Sequence, residues 1–468
     1  MSRCAFQLRY LFIGAIMLVV SACATVDNKP FSEQKNQAYA EIPSIWEVQF
    51  VEREERSRDW RDLFDDPILA MHLAKAKSNN FDLQQAAINV KQANLAITQS
   101  QSTLHPVING SLGVNIAGLL TNFGALSESV NDTINVSWDP DVTGVRKLQV
   151  KQSQINRNIQ SNISYNTRQQ VLSNVIILYV SIIQSDLQIA LSEKNLEFLQ
   201  ERLRIARAQY RVGRIGLDQV SFADNNFQSA VASLKAQKFT SRQLRRSLSS
   251  LLGDFSDQTI EIADKLPKVR PLPSRGLPAD VLHRRPDVKI AEQQIDLALN
   301  AYEITVKSDW PTTSITGSIG GGGDFGDLFN PASYIIGLGG SIFNNIYDGG
   351  LNEAQRQDLR FGIEAAILNY QNILRIGKNE IEDVYDQSYV NQLQLDSLIV
   401  AAKAGDLALE LEQIRFELGK SDLLSVLQVQ QSALSTNAAL INTEAALVTT
   451  LVNAYLATGG DLINYFEE

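Results

Sequence analysis

Ile108-Asn109-Gly110-Ser111-Leu112-Gly113-Val114-Asn115-Ile116 alternates apolar residues with small or polar ones. The same alternation returns in Ile134-Asn135-Val136-Ser137-Trp138, in Ile315-Thr316-Gly317-Ser318-Ile319, and in Tyr334, Ile336, Leu338 and Ile342. A period of two marks β-strands, and each run is roughly the 9 to 11 residues that a tilted membrane strand requires. One face is apolar and the other small or polar, the pattern of a barrel wall around water. Four strands cannot close, because the smallest single-chain bacterial barrels use about eight and an open edge in lipid leaves its backbone groups unbonded. Copies of the chain must therefore pool strands, and three copies would supply twelve. Gly320 to Gly323 reads as a flexible outer loop between the third and fourth strands. A phosphate cradle is disfavoured there, since no helix opening with Lys-Ser/Thr follows.

Outward from these runs the chain repeats itself. Asn80-Phe81-Asp82-Leu83 aligns with Arg285-Pro286-Asp287-Val288, and Leu104-His105-Pro106 with Asp309-Trp310-Pro311, at an offset of 205. Tyr210-Arg211-Val212-Gly213 aligns with Phe416-Glu417-Leu418-Gly419, and Leu251-Leu252-Gly253 with Ala457-Thr458-Gly459, at an offset of 206. Four anchors that hold register this closely identify a duplication. Each half should carry a helix (about 67 to 104; 280 to 309), two strands, a very long helix, a break at Gly213 or Gly419, and a return helix. The expected boundaries are a signal at 1–22, a linker at 23–60, a first repeat at 61–266, a Pro-rich connector at 267–279 and a second repeat at 280–468.

The long segments have a coiled-coil period. Val175, Ile182, Ile189, Leu196, Leu203 and Tyr210 recur every seven residues, as do Val220, Phe227, Leu234, Ser241 and Leu248, and then Val426, Ala433, Leu440, Leu447 and Ala454. A continuous helix over 144–212 would be about 100 Å long at 1.5 Å per residue. Other faces are rich in uncharged polar residues, such as Gln84-Gln85 and Gln152-Ser153-Gln154, which suits a water-filled lumen.

Both cysteines, Cys4 and Cys23, precede the body of the chain, which therefore has no disulfide and no catalytic thiol. Arg3 and Arg9, the apolar stretch Leu11 to Val20 and the small residues Ser21-Ala22 form a secretory signal. Val20-Ser21-Ala22-Cys23 resembles a bacterial lipobox, so Cys23 is the expected lipidation site. The net charge of −10 argues against nucleic acid, and three scattered histidines give no metal site and no Ser-His-Asp enzyme. No run of about 20 apolar residues exists for a polytopic helical membrane protein.

The chain resembles the TolC-like outer-membrane efflux proteins, in the lipoprotein branch serving resistance-nodulation-division pumps. The markers are Trp60-Arg61-Asp62-Leu63-Phe64-Asp65-Asp66-Pro67, Arg285-Pro286-Asp287-Val288-Lys289-Ile290-Ala291-Glu292, Phe343 with Asp348-Gly349-Gly350, and Phe416-Glu417-Leu418-Gly419 leading to Ala457-Thr458-Gly459-Gly460. The resemblance implies a mixed α and β fold: a homotrimeric 12-stranded barrel in the outer membrane, continued by an α-helical barrel that tapers shut in the periplasm. It implies a periplasmic adaptor and an inner-membrane pump as partners, outer-membrane lipid around the barrel, no cofactor, no metal and no chemistry.

Under that resemblance the tip turns Gly213, Arg214, Gly419 and Lys420 would dock the adaptor. The gate candidates are Arg211, Arg214, Asp218, Glu417 and Asp422, since the two hairpins carry opposite charge. The usual gate aspartates, six and nine residues after the second tip glycine, are Ser425 and Gln428 here, which puts a cation-selective ring in doubt. The same fold could serve as a type I secretion outlet for polypeptides. A lipid-anchored coiled-coil scaffold and an enzyme are the readings from other classes.

Overall fold

The computed structural model describes residue 64 and residues 66–117, 127–255, 260–268, 278–324, 326–327 and 330–459, with scattered positions between 31 and 46. Cys23, the signal, Trp60 to Leu63 and most of the Pro-rich connector lie outside the described residues. The first repeat holds α1 (Pro67–Asn79), α2 (Phe81–Ser102), β1 (Val107–Ala117), β2 (Ser127–Trp138), α3 (Val145–Arg211) and α4 (Leu217–Leu251). The second holds α5 (Pro278–Arg284), α6 (Pro286–Ser308), β3 (Thr312–Gly323), β4 (Tyr334–Phe343), α7 (Leu351–Glu417) and α8 (Leu423–Ala457). The duplication is metrically close: α3 and α7 each run 67 residues, and α4 and α8 each run 35.

Where the sequence suggested one helix at 67–104 and one at 280–309, each is broken once. Asn80 is extended (ψ 129°) and its side-chain oxygen accepts from the Leu83 N–H at 3.0 Å, opening α2. Arg285 is forced out of the helical region by Pro286. Each break residue also reaches the end of its return helix. The Asn80 amide donates to the Leu251 carbonyl at 2.9 Å, and the Arg285 guanidinium to the Ala457 carbonyl at 3.0 Å. Beside those carbonyls Gly253 and Gly459 hold φ of +79° and +61°. A Cβ on Gly253 would lie 2.6 Å from the Asn79 carbonyl oxygen, so glycine is required on both counts.

The Arg-Pro-Asp run is thus a clamp. Arg285 is 7% exposed and grips both Asp287 oxygens, at 3.0 and 2.7 Å, and the Glu380 carboxylate at 2.6 Å. Burial pulls its pKa down, but the hydrogen bonds and charges of Asp287 and Glu380 outweigh burial and leave it raised. Hydrogen bonds to charged groups contribute about 1.5 to 3 kcal/mol. Arg285→Ala should therefore lower stability by about 2 to 3 kcal/mol, read as an earlier midpoint when the assembled protein is heated and followed by circular dichroism. An unchanged midpoint would show that the clamp is dispensable.

The described residues divide into two compact units. One gathers 94–156 and 293–369 and contains the sheet. Its strands lie in the order β1-β2-β3-β4, all antiparallel. Ile108 pairs with Val136, Val136 with Gly317, Ile134 with Ile319, and Ile319 with Ile336, so these residues share one face. Asn109, Ser111, Thr133, Asn135, Thr316 and Ser318 share the other. Gly320 to Gly323 is not a loop. It forms the end of β3, paired with Thr133 to Val130 of β2. Glycine suits this end of β3, since a Cβ on Gly320 would lie 2.8 Å from the Asp132 carbonyl oxygen and one on Gly322 2.5 Å from the Asn131 side-chain oxygen. Among the described residues β1 and β4 have no outer neighbour.

The other unit gathers 42–93, 157–292 and 370–468. In it α3 serves two seams at once. Val175 and Ile182 pack with Leu248 and Leu252, while Ile176, Tyr179 and Ile183 pack with Val448, Leu451 and Tyr455. The heptad residues Val175, Ile182, Leu203, Leu234, Leu248, Val426, Ala433, Leu447 and Ala454 are buried, whereas Tyr210, at the last turn of α3, is exposed. Tyr179 donates to the Asp66 carboxylate at 2.7 Å and accepts from the Ala263 N–H at 3.2 Å. Asp66 in turn caps α1 through the Ile68 and Leu69 N–H groups.

Candidate functional site: the twin hairpin turns

The two long hairpins turn in the same way. Gly213 and Gly419 have φ of +73° and +71°, which only glycine adopts without strain, and a Cβ on either would touch nothing within 4 Å. Backbone freedom, not space, therefore selects glycine here. The Gly213 N–H donates to the Tyr210 carbonyl and the Arg214 N–H to the Gln209 carbonyl, both at 2.9 Å. Gly419 and Lys420 repeat the pattern onto Phe416 and Arg415 at 2.9 and 2.8 Å. These are Schellman ends, which satisfy the last carbonyls of each long helix. Val212 and Leu418, one before each glycine, are exposed.

The return helices start differently. Asp422 caps α8 by accepting from the Ser425 N–H at 2.7 Å, and this bond holds its carboxyl below the usual carboxylate range. A depressed carboxyl favours the folded form above its ordinary pKa, so the cap is intact at neutral pH and is lost as pH falls through the depressed value. Gly216 precedes α4 with no side-chain cap, and Asp218 stands in the first turn of that helix.

Several of the hairpin charges are paired locally. Arg204 binds Glu201 at 2.7 Å, Arg207 reaches Asp224 at 3.6 Å, and Glu412 takes both Arg415 and the Ser421 hydroxyl. Among the described residues no ion pair joins Arg211 or Arg214 to Glu417 or Asp422 within one chain. Arg202 bridges the two hairpins. It is 7% exposed, and its guanidinium carbon lies 4.7 Å from the Phe198 ring of α3 and 5.2 Å from the Phe416 ring of α7. Burial lowers its pKa, opposed by the charges of Glu417 and Glu201. Leu199, Leu203, Ala206, Ala223, Leu423 and Leu427 form the apolar cluster beside it. Sequence reading passed over Arg202; the available signal was an arginine four residues after an aromatic and next to the heptad leucine Leu203.

Two equal hairpins and a two-faced sheet with open edges recur in a known group of proteins. Residues 73–254 and 277–460 match the outer membrane efflux protein family. The chain belongs to this family. The cation efflux system protein CusC of Escherichia coli is 24% identical over 409 residues, covering 86% of this chain and 88% of that one. Nodulation protein T of Rhizobium leguminosarum bv. trifolii is 26% identical over 400 residues, covering 81% and 83%. Among solved structures, the CmeC outer membrane channel of Campylobacter jejuni superposes with a TM-score of 0.81 at 21% identity, covering 89% of this chain and 91% of that one. CusC gives 0.77 at 20% identity, covering 90% and 99%. The mixed α and β fold read from the sequence is therefore the fold of these solved structures, and the chain is an outer membrane efflux protein.

Proposed function

We propose that this outer membrane efflux protein is a homotrimeric, passive and gated conduit for small molecules, the outer component of a tripartite system with a periplasmic adaptor and an inner-membrane pump of the resistance-nodulation-division type. The observation that carries the trimer is the four-stranded sheet with one apolar face, one polar face and two unpaired edges. Lipid does not tolerate such edges, and three sheets would close a barrel of ordinary size. The apolar face then meets lipid and the polar face lines water. The channel performs no chemistry, and the pump supplies the energy.

The turns at Gly213, Arg214, Gly419 and Lys420 dock the adaptor, and Arg211, Arg214, Asp218, Glu417 and Asp422 surround the gate. Between neighbouring chains the basic hairpin would meet the acidic one, which supports pairing of Arg211 and Arg214 with Glu417 and Asp422 across the trimer. The relative CusC is named for cation efflux; with Ser425 and Gln428 at the usual acidic positions, this chain supports a broader small-molecule cargo. Deletion and re-expression, read as susceptibility to a panel of antibiotics, detergents and metal salts, test the conduit. Unchanged susceptibility to every member of the panel, with a monomer in mild detergent, would overturn it.

The signal at 1–22 ends in a lipobox, so the mature chain starts at an acylated Cys23. Mass spectrometry of the N-terminal peptide from membranes should show a lipidated cysteine, and an unmodified thiol would exclude it. Because an inserted barrel also holds the protein in the membrane, Cys23→Ser should impair maturation more than final retention.

A further inference from the structure

The four strands carry two charged residues, Glu128 and Asp132, and both sit on the apolar face. Asp132 pairs in register with Leu112 and Gly321, and Glu128 with Ile116, while Asp132 also bonds the Tyr334 hydroxyl. Among the described residues the opposite face has no acid and no base on any strand. It presents hydroxyls and amides such as Asn109, Ser111, Thr133, Asn135, Thr316 and Ser318. The segments 107–145 and 308–355 contain no lysine or arginine at all, so no long basic side chain starts within them.

Glycines interleave with those polar groups on the same face. A Cβ on Gly320 would lie 2.9 Å from the Thr133 hydroxyl, one on Gly337 2.8 Å from the Ser318 hydroxyl, and one on Gly339 3.1 Å from the Thr316 hydroxyl. The hydroxyls therefore lie along the sheet over the glycines instead of projecting from it.

We propose that the membrane-spanning bore of this channel is an electrically neutral, thin-walled tube that admits polar solutes of either charge sign and discriminates by size alone. The inference rests on the proposed closed barrel with its polar face inward. Hydroxyls and amides both donate and accept hydrogen bonds, so they replace part of the hydration of a cation, an anion or a zwitterion without preference. A wall with fixed charges of one sign would instead concentrate its counter-ions. Selection by charge is left to the hairpin turns, where arginines and acids are concentrated.

The test uses the full-length channel with one added thiol, since the body of the natural chain has none. Ser318→Cys and Ile319→Cys channels in outer-membrane vesicles are treated from outside with impermeant methanethiosulfonates, one carrying trimethylammonium and one sulfonate. Salt is held at 0.15 M, where the Debye length is about 8 Å and charges beyond the wall are screened. The ratio of cation to anion rates at Ser318→Cys is compared with the ratio on a free small thiol. A ratio within threefold of the free thiol is expected, and a larger shift in either direction overturns the neutral bore. Adding Thr133→Asp to Ser318→Cys should move the ratio several-fold toward the cation, and failure to do so also counts against it. Reaction at Ile319→Cys with none at Ser318→Cys would overturn the inward facing itself, a different result from a charged bore.

Discussion

Val136→Arg and Ile336→Arg chains are expected to reach the periplasm and fail to form heat-stable trimers, while Ser137→Arg chains assemble and change conductance. The register decides this contrast. Val136 lies between Ile108 and Gly317, and Ile336 pairs with Ile319, all on one face, whereas Ser137 faces the other way beside Val107 and Thr316. Arginine facing lipid near the bilayer midplane costs about 2 to 4 kcal/mol per site. Threefold assembly repeats that cost in every chain, about 6 to 12 kcal/mol for the barrel, which is comparable to a whole marginal stability of about 5 to 15 kcal/mol. Migration of unheated against heated samples in detergent gels, with density-gradient separation of membranes, reads the outcome. Equal tolerance at Val136 and Ser137 would reject the assigned faces.

Arg202→Ala is expected to leave the trimer assembled but leaky, with increased entry of vancomycin and spontaneous conductance in planar bilayers. A desolvated cation–π contact contributes about 0.5 to 2 kcal/mol, and this guanidinium meets two rings. Each change of about 1.4 kcal/mol alters a two-state population tenfold. Buried charges are poorly screened, so this effect should persist in high salt. Arg202→Lys keeps the charge but loses the planar stack, and should fall between parent and alanine variant. The exposed pairs proposed across the trimer would behave otherwise. Each is worth about 0 to 1 kcal/mol, so Arg214→Ala or Asp422→Ala should leak less than Arg202→Ala and most visibly in low salt. If Arg202→Ala conducts like the parent while the Arg214→Asp/Asp422→Arg swap abolishes the leak caused by either single change, the latch lies on the surface.

The strands, the duplication and the long hairpins were legible because each leaves a period in the chain. Alternation placed Ile108 against Asn109, the heptads placed Val175 with Ile182, and the 206-residue offset placed Gly213 with Gly419. What was not legible came from contacts with no period. At the breaks the local signals, Pro286 after Arg285 and the Asn80 cap on Leu83, were in the sequence, but the bonds that tie Asn80 to Leu251 and Arg285 to Ala457, over 170 residues away, were not. Gly320 to Gly323 reads locally as a loop, and is strand because its backbone pairs with Thr133 to Val130, about 190 residues earlier in the chain. At the turns the charge contrast was visible, but Arg202 was hidden because its partner Phe416 belongs to the other half of the duplication.

The matched lengths of the hairpins set a rule for how this channel can change in size. The outgoing arms have 67 residues each and the returning arms 35, so each chain reaches its two turns with legs of one length. A heptad added to one hairpin alone would push its turn about 10 Å past the other, at 1.5 Å per residue. In the proposed trimer six turns could then no longer meet in a common plane, and three would stand clear of the proposed gate. On that proposal, growth or shrinkage of the helical hairpins is quantised and double: a heptad gained in one half has to be gained in the other, in both arms, to keep the two turns level.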